Sequence, residues 1–196
     1  MVDDAPSEGA LAAALRGGDV ASVILAGAAI ADDEALLVDL VTLAQGFGAA
    51  AILAADAALA TRAGADGVHL THGTGPLRRH GDLALGVGAD TRDAAMEAGE
   101  AGADYVLLGP LPRDTHCEPH SRFLDLARWW VDVATVPCIV AGGTDHASAV
   151  AVAETGAEFV ALRSAVFESD RPADTVGRVN AMLDAAVASG RAPRFE

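Results

Sequence analysis

Two groups of residues in this chain have types and spacing that could do chemistry. The first is Gly142-Gly143 followed by Thr144-Asp145 at a helix start, read together with Arg163-Ser164. Paired glycines ahead of a helix present backbone amides, and a nearby guanidinium adds positive charge, the combination that holds a phosphate. The same glycines serve equally as a tight strand-to-helix turn with Thr144 or Asp145 as its cap. The second group, His72, His116, Cys117 and His120 with Asp56, Asp90 and Asp114, has the donor types of a transition-metal site. Spacing argues against it: His116 and His120 fall in a loop, where no helical i,i+4 geometry brings them together, so the expectation is solvated histidines. His69 lies inside an apolar run and reads as a packed residue. Ser164 has no adjacent histidine, and nothing indicates a Ser-His-Asp nucleophile.

The elements that must position these residues follow from an internal repeat. Gly17-Gly18-Asp19-Val20, Gly64-Ala65-Asp66-Gly67-Val68, Gly102-Ala103-Asp104-Tyr105-Val106 and Gly156-Ala157-Glu158-Phe159-Val160 each begin with a helix-stopping glycine and lead into an apolar strand. Further short apolar runs lie between the copies, each followed by a helical pattern. Leu36, Leu37, Leu40, Val41 and Ala44 form one stripe, and Val176, Val179, Leu183 and Val187 another, as on helices covering a sheet. Runs such as Val106-Leu107-Leu108 and Cys138-Ile139-Val140 are apolar on both faces, which a parallel sheet wrapped by helices requires. Strands are predicted near 20–26, 50–54, 66–70, 83–88, 104–109, 137–141 and 158–163.

Four copies of a paired unit fit an α/β fold of the (β/α)8 TIM-barrel kind, with the repeat preceding its even-numbered strands. On that count the first strand is missing or irregular, since residues 1–7 are short, acidic and interrupted by Pro6. A doubly wound open sheet is the alternative architecture. In a barrel the site lies at the carboxyl ends of the strands. Asp56, Thr71-His72-Gly73-Thr74, Asp90, the loop from Gly109-Pro110 through His120, Gly142-Gly143 and Arg163-Ser164 all fall there.

Length and composition bound the rest. The 196 residues are read as one domain, 1–196, shorter than the ~250 residues usual for this barrel. Thirteen basic against 28 acidic residues give a formal charge of −15, and no basic face could track a phosphate backbone, so nucleic acid is not expected as a partner. No apolar run approaches the ~20 residues needed to span a bilayer. The start, Met1-Val2-Asp3-Asp4, is acidic and unlike a signal, so a cytoplasmic protein without a membrane partner is expected. Cys117 and Cys138 are too few for a disulfide scaffold.

The ordered set Gly64-Ala65-Asp66-Gly67-Val68-His69-Leu70, Ala101 to Val106 through Gly109-Pro110, and Val136-Pro137-Cys138 through Gly142-Gly143 resembles the thiamine phosphate synthase family, which includes TenI-like thiazole tautomerases. The resemblance runs from about Leu11 to Val166. It implies a barrel and, in active members, the Mg-assisted joining of a pyrimidine pyrophosphate to a thiazole phosphate with release of pyrophosphate. It places Gly143 in the family's phosphate-binding glycine region and Ser164 at the serine beyond the last strand, and makes Asp56 the Mg ligand.

Departures from the family pattern cluster at the pyrophosphate end. Where the family has Gln-x-Arg-x-Lys, this chain reads Val23-Ile24-Leu25-Ala26-Gly27. Asn-Asp-Arg becomes Ala55-Asp56-Ala57, and Gly-Gln-x-Asp becomes Thr71-His72-Gly73-Thr74, losing the second Mg aspartate. The family's serine on the fifth strand is Gly88, Thr-x-Thr-Lys is replaced by Arg113-Asp114-Thr115-His116, and the tautomerase histidine is Pro110. Loss of leaving-group cations removes electrostatic catalysis at its root. The expectation is a divergent, catalytically degenerate thiamine phosphate synthase-like protein with no assigned catalytic residue. Its expected partner is a small phosphorylated molecule bound at Gly142, Gly143, Arg163 and Ser164. The alternatives are a non-catalytic ligand-binding or protein-interaction paralogue, and a metal-dependent enzyme using His72, His116 and His120. Homo-oligomerisation is expected as one way to cover the gap left by the first strand.

Overall fold

The computed structural model describes residues 6–27, 32–71, 80–109 and 116–193. Strand and helix alternate along them. The order is α1 (Glu8–Leu15), β1 (Ser22–Leu25), α2 (Glu34–Gly46), β2 (Ala50–Leu53), α3 (Ala57–Ala63), β3 (Gly67–Leu70), β4 (Ala84–Ala89), α4 (Arg92–Glu100) and β5 (Tyr105–Leu108). It continues with α5 (Ser121–Val133), β6 (Cys138–Ala141), α6 (Ser148–Ala153), β7 (Phe159–Ala161), α7 (Ser164–Phe167) and α8 (Pro172–Ala188).

The helices form where local chemistry starts and stops them. Asp33 caps α2 by accepting the Leu36 N–H at 3.0 Å, and Leu37, Leu40, Val41 and Ala44 make its buried face, the stripe read from the sequence. Asp56 caps α3 by accepting the Leu59 N–H at 2.9 Å, and Gly64 ends it in the left-handed conformation that favours glycine. Pro172 occupies the first turn of α8, where its missing N–H costs nothing.

All seven expected strands are present. They pair in parallel and strictly in chain order, β1 through β7, with registers such as Val23 against Ala51, His69 against Gly86 and Gly86 against Tyr105. That sequential order, without a reversal, is the curled sheet of a (β/α) barrel and excludes the doubly wound alternative. Among the described residues no strand precedes β1, so β1 and β7 are the two edges of the sheet. One side of the sheet packs under the helices in two apolar clusters. Leu25, Leu53 and Val68 meet Leu37 and Leu40, and Val87, Val106, Leu108 and Val140 meet Phe123 and Trp130.

The acidic residue of the repeat has a structural task. Asp66 Oδ2 accepts the Ala51 N–H of β2 at 2.7 Å, Asp104 Oδ2 the Leu85 N–H of β4 at 2.8 Å, and Glu158 Oε2 the Cys138 N–H of β6 at 2.9 Å. Each carboxylate holds an amide at the amino end of the strand before its own. Such an amide would otherwise sit at the sheet margin without a partner.

Candidate functional site

The rim at the carboxyl ends of the strands collects residues from every unit, and the last two units build its best-defined corner. Gly142 and Gly143 follow β6, and Arg163 and Ser164 follow β7. Ser164 is buried and opens the short α7, while the Arg163 side chain is exposed beside it.

The backbone amides of this corner are already engaged. Gly142 donates to the Ala161 carbonyl at 2.8 Å, Thr144 to the His116 carbonyl at 2.8 Å and Asp145 to the Cys117 carbonyl at 3.3 Å. Gly143 donates to the buried Ser148 hydroxyl at 2.8 Å. The segment 116–118 thus lies across the turn as a strap. A Cβ on Gly143 would overlap the Cys117 carbonyl and approach Glu118 N to 2.8 Å, so only glycine lets the strap seat. Neither Thr144 nor Asp145 caps the following helix: its N-cap is Ala147, and Asp145 Oδ1 instead accepts the Ala147 N–H at 2.9 Å. An anion at this corner would therefore take the place of the two strap carbonyls on Thr144 and Asp145.

The histidine expectation is corrected in one respect. His116 and His120 do meet, with ring centroids 5.2 Å apart and planes nearly perpendicular, because the chain curves through 116–120 before His120 caps α5. Sequence spacing assumed that only a helix could bring them together. Among the described residues no group of three His, Cys, Asp or Glu side chains is placed to hold a metal ion. His72, Thr74, Pro110, Arg113 and Asp114 lie outside the described residues. Asp90 is exposed after β4, and Asp56 is exposed with one carboxylate oxygen committed to its helix cap.

A layer inside the sheet escaped the sequence reading. The Tyr105 ring reaches across Gly86, where a Cβ would overlap it, and its hydroxyl lies 3.2 Å from His69 Nδ1. His69 is 2% exposed, its Nε2 has no partner among the described residues, and burial lowers its pKa from 6.5 to about 4. Burial also raises the pKa of the Tyr105 hydroxyl. The packed role expected for His69 holds. The signal that could have revealed the layer is Gly86 itself, since a glycine inside a strand marks a close approach. Two strand residues on, a Cβ on Gly88 would overlap the Thr71 carbonyl, so the segment after β3 closes over the position of the family's serine.

A sequential parallel sheet, helices on its outer side and a rim of loop residues at the strand ends define the (β/α)-barrel class. Within it, the family model described as thiamine monophosphate synthase matches residues 2–166, and the chain belongs to that family. The thiamine-phosphate synthase of Rhodospirillum centenum is 36% identical over 184 residues, covering 88% of each chain. That of Geobacillus thermodenitrificans is 32% identical over 182 residues, covering 85% of this chain and 80% of its relative. Among solved structures, the thiamine phosphate pyrophosphorylase of Pyrococcus furiosus superposes with a TM-score of 0.75 at 22% identity, covering 93% of this chain and 91% of the other. No helix among the described residues is long and apolar enough to cross a membrane.

Proposed function

We propose that this chain binds a phosphorylated small molecule of the thiamine pathway at Gly142, Gly143, Arg163 and Ser164, and that it does not join pyrimidine and thiazole at the family's rate. The observation that carries this reading is the charge content of β1. The strand that would supply the pyrophosphate-binding cations is Ser22-Val23-Ile24-Leu25, without a single charge. A pyrophosphate leaving group entering a protein of formal charge −15 requires dedicated local cations. Each missing charge contact forfeits ~2–4 kcal/mol of transition-state stabilisation, and several together lower the rate by many orders of magnitude. The closure of Thr71 over Gly88 supports the same reading, since a serine side chain would not fit there without moving that carbonyl.

Mg has a poor fit. Asp56 spends one oxygen on the Leu59 amide, and a single cap carboxylate falls short of the octahedral oxygen set that Mg prefers. The phosphate end relies on this chain's own groups: Arg163 supplies charge and Ser164 a hydroxyl, and the Thr144 and Asp145 amides would join them only where the anion displaced the His116 and Cys117 carbonyls.

Two measurements test the proposal. Calorimetry with inorganic phosphate should show binding that Arg163→Ala weakens, and equal binding by both proteins would remove the assignment. A discontinuous fluorescence assay for thiamine phosphate, with both substrates and Mg, should show no appreciable turnover. Ordinary enzyme rates abolished by Asp56→Ala would instead establish an active synthase.

A further inference from the structure

We propose that segment 116–118 is an autoinhibitory strap, whose two main-chain carbonyls hold the amides that a phosphate needs, so that strap seating and phosphate binding exclude one another. The inference rests on the phosphate reading above and adds the control of that site.

The turn after β6 divides its four amides between two kinds of acceptor. Gly142 donates to the Ala161 carbonyl of β7, and Gly143 to the hydroxyl of Ser148, buried in α6. Both acceptors belong to the framework and stay with it. Thr144 and Asp145 donate instead to the His116 and Cys117 carbonyls, at 2.8 and 3.3 Å. Here two successive carbonyl oxygens meet two successive N–H groups, the arrangement in which two oxygens of one phosphate are held by main chain. The strap therefore stands where the anion would.

Its fit to the turn is close, but its anchorage is slight. Gly143 leaves room for the Cys117 carbonyl, which a Cβ there would overlap. Residues 116, 117 and 118 are all exposed, so no buried apolar side chain of the segment holds it down, the condition under which local opening costs least. Pro119 is half-buried and His120 stands at the N-cap of α5, which fixes the far end. The His120 carbonyl already accepts from Phe123 and Leu124, so the strap can leave the turn without unravelling α5. Charge sets what displaces it. Hydrogen bonds to a charged phosphate oxygen are roughly twice as strong as those to a neutral carbonyl. An anion held by Arg163 therefore takes the two amides, whereas an uncharged ligand gains nothing by the exchange. The observed affinity is the intrinsic one reduced by the fraction of molecules whose strap is unseated, and loosening the strap should tighten binding.

The test uses the full chain, inorganic phosphate and a double variant, Cys117→Gly with Glu118→Gly, which keeps both strap carbonyls and gives the unseated strap the backbone freedom of glycine. Calorimetry should show the variant binding phosphate about fivefold tighter, or more, than the wild type. In the wild type, NMR should detect the scalar coupling across the hydrogen bond from the Thr144 N–H to the His116 carbonyl without phosphate and lose it at saturation, a readout that needs no variant. Tighter binding together with loss of the coupling supports the strap. Phosphate binding with the coupling intact at saturation, or with equal affinity for both proteins, would overturn the strap and leave the phosphate site standing. Binding by neither protein would remove the phosphate site itself, and the strap's role with it.

Discussion

His69 Nδ1 and the Tyr105 hydroxyl lie 3.2 Å apart across the face of Gly86, joining β3 to β5 over the strand between them. Either tautomer of the imidazole satisfies this contact, and in both the buried Nε2 has no partner among the described residues. Protonating the ring would add a charge to an enclosed site, so folding holds His69 neutral down to about pH 4 where the unfolded chain protonates near 6.5. The folded pKa is depressed. Its contribution to stability is therefore complete above pH 6.5 and is lost as pH falls through 6.5 towards 4. Between pH 7 and pH 5 the urea midpoint should drop by the equivalent of about 2 kcal/mol. His69→Asn should remove that part of the slope.

Gly86→Ala should be strongly destabilising, because the added methyl overlaps the Tyr105 ring. Overpacking of this kind costs about 1–3 kcal/mol, read as a lower denaturation midpoint. Gly86→Ala combined with Tyr105→Ala should recover part of the loss. A purely additive double variant would show that the ring moves aside without strain.

The two cysteines should react very differently. Cys117 is exposed and Cys138 is buried in β6, where desolvation first and the Glu158 carboxylate second push its thiol up to about 12. A thiol reagent at pH 8 should modify one cysteine in the native protein and two in denaturant. Because the Cys117 carbonyl sits on the Asp145 amide, modification of Cys117 should also perturb phosphate binding.

Removing a repeat carboxylate should unpin a strand end. Glu158→Ala leaves the Cys138 amide of β6 without its 2.9 Å acceptor, at a cost of about 1–3 kcal/mol. Exchange of that amide should quicken more than exchange at Val140, deeper in the same strand. Uniform acceleration along β6 would indicate general loosening instead.

Much of the fold follows from chain-local physics and is legible in the sequence. Uncharged apolar runs such as Val106-Leu107-Leu108 specify a strand buried on both faces, and the 3.6-residue stripe of Leu37, Leu40, Val41 and Ala44 specifies a helix lying on it. The recurring Gly-Ala-Asp unit fixed the count and order of units, and the family was readable from the same residues. What only the tertiary structure decided concerns atoms that every residue shares or contacts that the chain makes by folding back. The His116 and Cys117 carbonyls occupy the amides expected to face an anion, and backbone carbonyls leave no mark in sequence. His116 meets His120 through loop curvature rather than helical spacing. The acid of the last three repeats proved to clamp an amide 15 to 20 residues away in the chain. Such partners are set by sheet register, which arises only when the strands pair.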